Sequence, residues 1–145
     1  MSRRRIITVL APIALLACAG NAAAATLSVT KTATCGCCSK WVDHMRKAGF
    51  EVKVRDVHDV TPTANRLGVP AKLRSCHTAE IGGYAIEGHV PAADVKRLLA
   101  TRPKAAGIAV PGMVAGSPGM EGGQAQPYQT VLFDRAGKTR VFASH

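Results

Sequence analysis

The sequence predicts an α/β fold. Three observations carry that expectation: strand-like and helix-like segments alternate, glycine and proline punctuate their junctions, and a cysteine cluster falls where the first strand passes into the first helix. Leu27-Ser28-Val29 opens a short strand, and SKWVDHMRKAG then reads as a helix stopped by Gly49, a residue suited to a left-handed cap. Phe50, Val52 and Val54 alternate with Glu51, Lys53 and Arg55, the period of a half-buried strand. Thr61-Pro62 suits the start of a second helix, TPTANRLG, again ended by a glycine, Gly68. SCHTAEI and YAIEG flank the turn Gly82-Gly83 and read as a β-hairpin. Pro91 opens a last helix, PAADVKRLLATR, in which Val95, Leu98 and Leu99 share one face.

The order strand, helix, strand, helix, strand, strand, helix is the thioredoxin-like arrangement, here extended by a methionine-containing loop and a hairpin over YQTVLFDRAGKTRVFASH. Small copper-chaperone domains also carry a C-x-x-C after their first strand, but run strand, helix, two strands, helix, strand. The short helix at 62–67 separates the two readings. Val69-Pro70 falls where thioredoxin-like folds often keep a cis-proline facing the cysteines.

The N-terminus sets the compartment. Ser2-Arg3-Arg4-Arg5, the apolar run IITVLAPIALLACAG and the small residues NAAAA form the three regions of a signal peptide over residues 1–25, with cleavage after Ala25. The apolar run is short for a transmembrane helix. Leu15-Leu16-Ala17-Cys18 loosely fits a lipidation pattern, and lipidation at Cys18 is the one route to a membrane; SRRRII also fits a twin-arginine export signal. A periplasmic destination follows, with residues 26–145 as one domain large enough for its own core.

Removing Arg3, Arg4 and Arg5 from the 19 basic residues leaves 16 against 9 acidic ones, a net charge of about +7 that reads first as solubility. The cations are dispersed along the chain, and only Trp41, Tyr84, Tyr128 and three phenylalanines offer stacking platforms, which argues against nucleic-acid binding.

Within KTATCGCCSKW, Cys35, Cys37 and Cys38 crowd into four positions; with Cys76, four cysteines follow the signal peptide. An exported chain with an even number usually pairs them as staples. A Cys35–Cys38 bridge closes only a tiny loop and adds little to stability, and a Cys37–Cys38 bridge is strained. Two chemical readings survive. Either Cys35 and Cys38 are a dithiol pair activated by the helix N-terminus, which leaves Cys37 idle, or the cluster binds a soft metal, which employs every cysteine. Zinc would suit a closed set of Cys35, Cys37, Cys38 and Cys76. VPGMVAGSPGME, however, holds Met113 and Met120 in a glycine-rich loop, and thioethers point to copper. A methionine's commoner task is filling core gaps.

His77 adjoins Cys76, and both reach one site only if the backbone turns there, because neighbours on a strand face opposite ways. His44 returns seven residues later to nearly the helix face of Cys37, where it is either a deeper ligand or a solvent-facing histidine. His89 is a loop ligand or polar surface; Trp41 and Met45 belong to the core.

Cys-Gly-Cys-Cys with Lys-Trp-Val, Leu-Gly-Val-Pro, Ser-Cys-His-Thr, Gly-Gly-Tyr, Glu-Gly-His-Val-Pro, Pro-Gly-Met and Gly-Ser-Pro-Gly-Met-Glu together resemble the periplasmic copper-resistance proteins of the CopG type, domain-of-unknown-function family 411, from about Leu27 to Phe133. The resemblance implies a thioredoxin-like fold, copper held by the cysteines, and a role in copper redox or handling. By position it implies Cys35, Cys38 and Cys76 as the firmest ligands, with Cys37, His77, Met113 and Met120 matching the family's motifs. The expected cargo is Cu(I), with several ions feasible because thiolates bridge. Expected partners are copper ions and other periplasmic copper-handling proteins. The rival from another class is a thiol-disulfide oxidoreductase using Cys35 and Cys38.

Overall fold

In the computed structural model, which describes residues 25–145, seven strands build one mixed sheet. The export signal expected over residues 1–25 therefore lies outside the described residues, its last position excepted. In chain order the elements are β1 (Leu27–Thr32), α1 (Gly36–Lys47), β2 (Val52–Val57), α2 (Thr61–Arg66), a 3-10 turn (Ala71–Leu73), β3 (His77–Ile81), β4 (Tyr84–Glu87), α3 (Ala92–Thr101), β5 (Gly107–Ala109), β6 (Gln129–Phe133) and β7 (Thr139–Ser144). The strands lie in the order β2-β1-β3-β4-β5-β6-β7. β1 pairs parallel with β2 across the α1 crossover, and β3 runs antiparallel to both of its neighbours, β1 and β4. β4 pairs parallel with β5, and the β5–β6 and β6–β7 pairs are antiparallel.

Period-two alternation on the central strands divides the core into two layers. Ile86, Ile108 and Leu132 face one side with Leu27, Val29, Ala79 and Ile81, where Trp41, Val42 and Met45 of α1 and Val95 and Leu98 of α3 cover them. Their neighbours Ala85, Ala109 and Phe133 face the other side, against Ala64, Leu67, Val69 and Leu73 around α2. Trp41 and Met45 are fully buried, as the sequence led us to expect. A polar tie fastens the last hairpin to α3: the buried Asp94 Oδ2 accepts from Thr130 Oγ1 at 2.6 Å and from His145 Nε2 at 2.9 Å.

The structure departs from the sequence reading in three places. β2 is an edge strand with a mostly exposed pattern, and Val54 is 38% exposed, so its alternation does not mark a half-buried face; Phe50 packs on the core just before the strand begins. The three-residue β5 was not foreseen: Gly-Ile-Ala is too short for periodicity to register, and pairing on both sides makes it a strand. No cis peptide occurs among the described residues; Pro70 instead leads, with φ −59° and ψ 140°, into the 3-10 turn. No described helix is long and apolar enough to cross a membrane.

Leu98 is fully buried at the centre of the α3 face. Leu98→Ala is expected to lower unfolding free energy by about 2–5 kcal/mol, read as a lower urea midpoint with an unchanged slope.

Candidate metal centre

Helix α1 begins one residue after Cys35, whose Sγ stands in for the usual capping oxygen and accepts from the Cys38 N–H at 3.3 Å. Cys35 and Cys38 are joined as a disulfide, with Cys38 buried and Cys35 partly exposed. Cys37 carries a free thiol, its Sγ 3.5 Å from that of Cys35. The fourth cysteine arrives from the opposite direction. Because β3 is antiparallel to β1, with His77 opposite Lys31, the residue before β3 emerges beside the end of β1 and the start of α1. Cys76 is that residue, and its sulfur completes a group with Cys35 and Cys38 in which all three lie within 4.8 Å of one another. The Cys76 thiol is 3.9 Å from the thioether of Met113, a methionine 56% exposed on its loop and so not filling the core.

Met120 belongs to the same loop at a different place. Its N–H donates to Ser117 O at 2.8 Å, in a turn whose Gly119 presses on the start of α1. A Cβ at Gly119, where φ is +88°, would lie 2.7 Å from Cys37 O and 3.0 Å from Trp41 N, so no larger residue fits without displacing the loop. Of the two methionines, only Met113 has its sulfur in contact with a cysteine sulfur among the described contacts.

The histidines occupy a second tier. Cys76 and His77 do part ways: Cys76 sits on a bend ahead of the strand, while His77 turns inward and is fully buried between Trp41, with ring centroids 4.5 Å apart, and His89, at 5.2 Å edge to face. Burial, reinforced by His89 and by the Lys31 charge, lowers the His77 pKa to about 3, so its imidazole is neutral at ordinary pH. Neither of its nitrogens has a hydrogen-bond partner among the described residues; the Gly88 carbonyl is close enough to oppose the shift but lies outside hydrogen-bonding geometry. His89 is not polar surface but buried. Its Nδ1–H donates to Pro118 O at 2.8 Å, leaving Nε2 unpartnered, and burial lowers its pKa too. His44 is neither a deep ligand nor merely solvent-facing: its Nε2 accepts from the Ala92 N–H at 3.1 Å and caps the start of α3.

A family model described as "Protein of unknown function, DUF411" matches residues 73–120, the stretch holding Cys76, His77, His89, Met113 and Met120. Two solved structures of copper resistance protein CopG resemble the chain along nearly all of their length. Form 2 is 43% identical, with a TM-score of 0.78, over 83% of this chain and 98% of that one; form 1 is 44% identical, with a TM-score of 0.77, over 83% and 96%. The chain belongs to the CopG copper-resistance family. No curated protein matches it.

In this CopG-family chain, one residue that steadies the sulfur group is not among the candidates the sequence reading supplies. Glu87 ends a strand that otherwise reads as apolar; its Oε1 accepts from the Ser75 N–H at 2.6 Å and its Oε2 from Thr78 Oγ1 at 2.7 Å, which pins the segment carrying Cys76 from both sides. A carboxylate closing an apolar strand was the available clue. Burial raises its pKa from 4.5 to about 7 against the pull of these two hydrogen bonds and the Arg74 charge. The sign follows from linkage. Below pH 4.5 the carboxyl is protonated folded or unfolded; as pH rises from 4.5 through about 7 the unfolded chain releases the proton first, and the contribution to stability is lost. Glu87→Gln keeps an acceptor for Ser75 and supplies a donor to Thr78. The variant is expected to match the parent near pH 4 and to exceed it by up to about 3 kcal/mol at pH 8 in urea unfolding.

Gly119→Ala is expected to lift the loop from α1. The checks are faster amide exchange over 114–121 and a lower melting temperature.

Proposed function

We propose that this chain is a periplasmic copper-binding protein of copper resistance, which captures Cu(I) in a thiolate cluster built from Cys35, Cys37, Cys38 and Cys76, with Met113 as a thioether ligand and His77 and Met120 around it. Its exported form is residues 26–145, released from the signal peptide at 1–25. Its fold is thioredoxin-like, a reading supported by the β2-β1-β3-β4 order with β3 antiparallel and by the cysteines lying between β1 and α1.

The observation that carries the function is the convergence of three cysteine sulfurs within 4.8 Å, with the Met113 thioether against the third, in a chain 43% identical to a copper resistance protein over 83% of its length. The Met113 thioether beside the thiols favours Cu(I) over zinc, whose sites are closed by thiolates and imidazoles without thioethers. The disulfide form is then the metal-free state. A dithiol donor, itself closing to a disulfide, supplies the two electrons and two protons that open it to two thiols; loss of those protons on binding Cu(I) yields thiolates that bridge ions, so several coppers fit one cluster. Run the other way, two thiolates closing to the disulfide release two electrons, enough to reduce two Cu(II) to two Cu(I).

The Cys35–Cys38 disulfide at a helix start also favours a second reading, a thiol-disulfide oxidoreductase in which Cys35 and Cys38 exchange with substrate thiols and copper is incidental.

Metal content and a free-thiol count on protein purified anaerobically from copper-fed cells separate the two. Bound copper with thiols protected from labelling, released by a Cu(I) chelator, is the expected result; metal-free protein with a reducible Cys35–Cys38 bridge supports the oxidoreductase. Outer partners of metal ligands alone are worth about tenfold in affinity, so Cys37→Ser is expected to weaken Cu(I) binding by more than that, while leaving a Cys35/Cys38 exchange activity intact. Met113→Leu, which keeps bulk and removes sulfur, is expected to lower Cu(I) affinity in competition with a chelator, and Met120→Leu to lower it less.

A further inference from the structure

Cations scattered along the sequence gather on one face of the fold. Three hollows adjoin there, with volumes of ≈ 340, ≈ 370 and ≈ 240 Å³. The first is lined by Arg74 and Arg135, the second by Arg135 and Lys104, and the third by Lys104, Lys138 and Arg140, so shared residues make the run continuous. All five side chains belong to exposed residues, and none forms an ion pair among the described residues. One carboxylate, Asp134, lines the same hollows, and its Oδ1 is engaged by the N–H groups of Ala136 and Lys138, each at 2.9 Å, in the β6–β7 turn. Outside the hollows, Asp59 and the buried Glu87 feel the Arg74 charge without pairing with it.

We propose that this face docks an acidic patch of a partner protein, and that its Arg74 end brings that partner to the sulfur group, since Arg74 stands two residues before Cys76. Unpaired like charges held together on a folded surface are a field that opposite charges on a partner complete, and such complementarity orients encounter. The shape argues for protein. Aspartate and glutamate side chains reach into hollows of this size, whereas a lipid surface is flat, and no exposed large apolar side chain lines them to anchor in a bilayer. Nucleic acid would want stacking platforms, and the one aromatic lining the hollows, Phe133, is buried. The inference goes beyond copper capture and holds whether or not copper occupies the cysteines.

The test is titration of the purified protein, metal-free and Cu(I)-loaded in turn, with decaglutamate, with phosphatidylglycerol vesicles and with a DNA duplex at low salt. Two triple variants of equal charge change are compared: Lys104→Glu/Arg135→Glu/Lys138→Glu on the face, and Lys47→Glu/Lys53→Glu/Lys96→Glu on exposed positions elsewhere. The expected result is decaglutamate as the preferred probe, with affinity falling about tenfold in the face variant and less than about twofold in the control. Backbone amide shifts in the parent protein should map the contact to residues 134–140 independently of how the variants fold. Equal losses in both variants, shifts spread over the whole surface, no binding, or tighter binding to vesicles or DNA would each overturn the proposal. Because metal-free protein is titrated separately, failure of copper loading leaves this result readable.

Discussion

Everything at the sulfur group depends on the register between β1 and β3. Lys31 lies opposite His77, and antiparallel direction brings the first residue of β3 to the last turn of β1, where α1 begins. Cys76 therefore meets Cys35 and Cys38 although some forty residues separate them. A slip of one residue would exchange the faces of Cys76 and His77, sending the thiol into the core and the imidazole to the surface. The register is held by what it buries: Val29 and Ala79 on one face of the pair are both closed off by α1 and α3. Glu87 then fastens the segment just ahead of the strand, at Ser75, where ladder hydrogen bonds have not begun.

Beneath the sulfurs the chain keeps unusual company for a core. Trp41, His77 and His89 pack in succession, tilted and then edge to face, and three imidazole nitrogens there have no partner among the described residues. Orphaned polar atoms carry a desolvation cost of about 1–3 kcal/mol each, so the surrounding packing must over-determine this arrangement. Trp41 is held by its Nε1–H to Val90 O at 2.9 Å, His89 by Pro118 O, and the loop supplying Pro118 by the close seat of Gly119 against α1. The methionine loop is thus anchored through its Pro-Gly pair, with Met113 free to reach Cys76 from the exposed side.

Periodicity and punctuation made most of the elements legible. The alternation of helices and strands through residue 101 matches the sequence reading because each segment has its own stop: Gly49, Gly68, the Gly82-Gly83 turn with both φ positive, and Pro91 before α3. The crowding of Cys35, Cys37 and Cys38 at a helix start was equally visible, since a local cluster needs no tertiary contact. Less was legible wherever burial alone assigns the role. His44 as a cap for α3, His89 as a core residue and Glu87 as a brace all involve partners far along the chain, and a polar letter in a sequence does not say whether its partner is water or a distant backbone N–H.

By itself, then, the sequence determined the α/β class, the local cysteine motif at a helix start and the soft character of the donors, because these are properties of residue type and short-range spacing. Only the tertiary structure decided that Cys76 joins Cys35 and Cys38, that Met113 meets the Cys76 thiol, that His77 is buried in the core, and that dispersed cations form one face. The physical reason is common to all four. Each depends on which strands pair and in which register, and strand pairing is a long-range contact that no local window of residues contains.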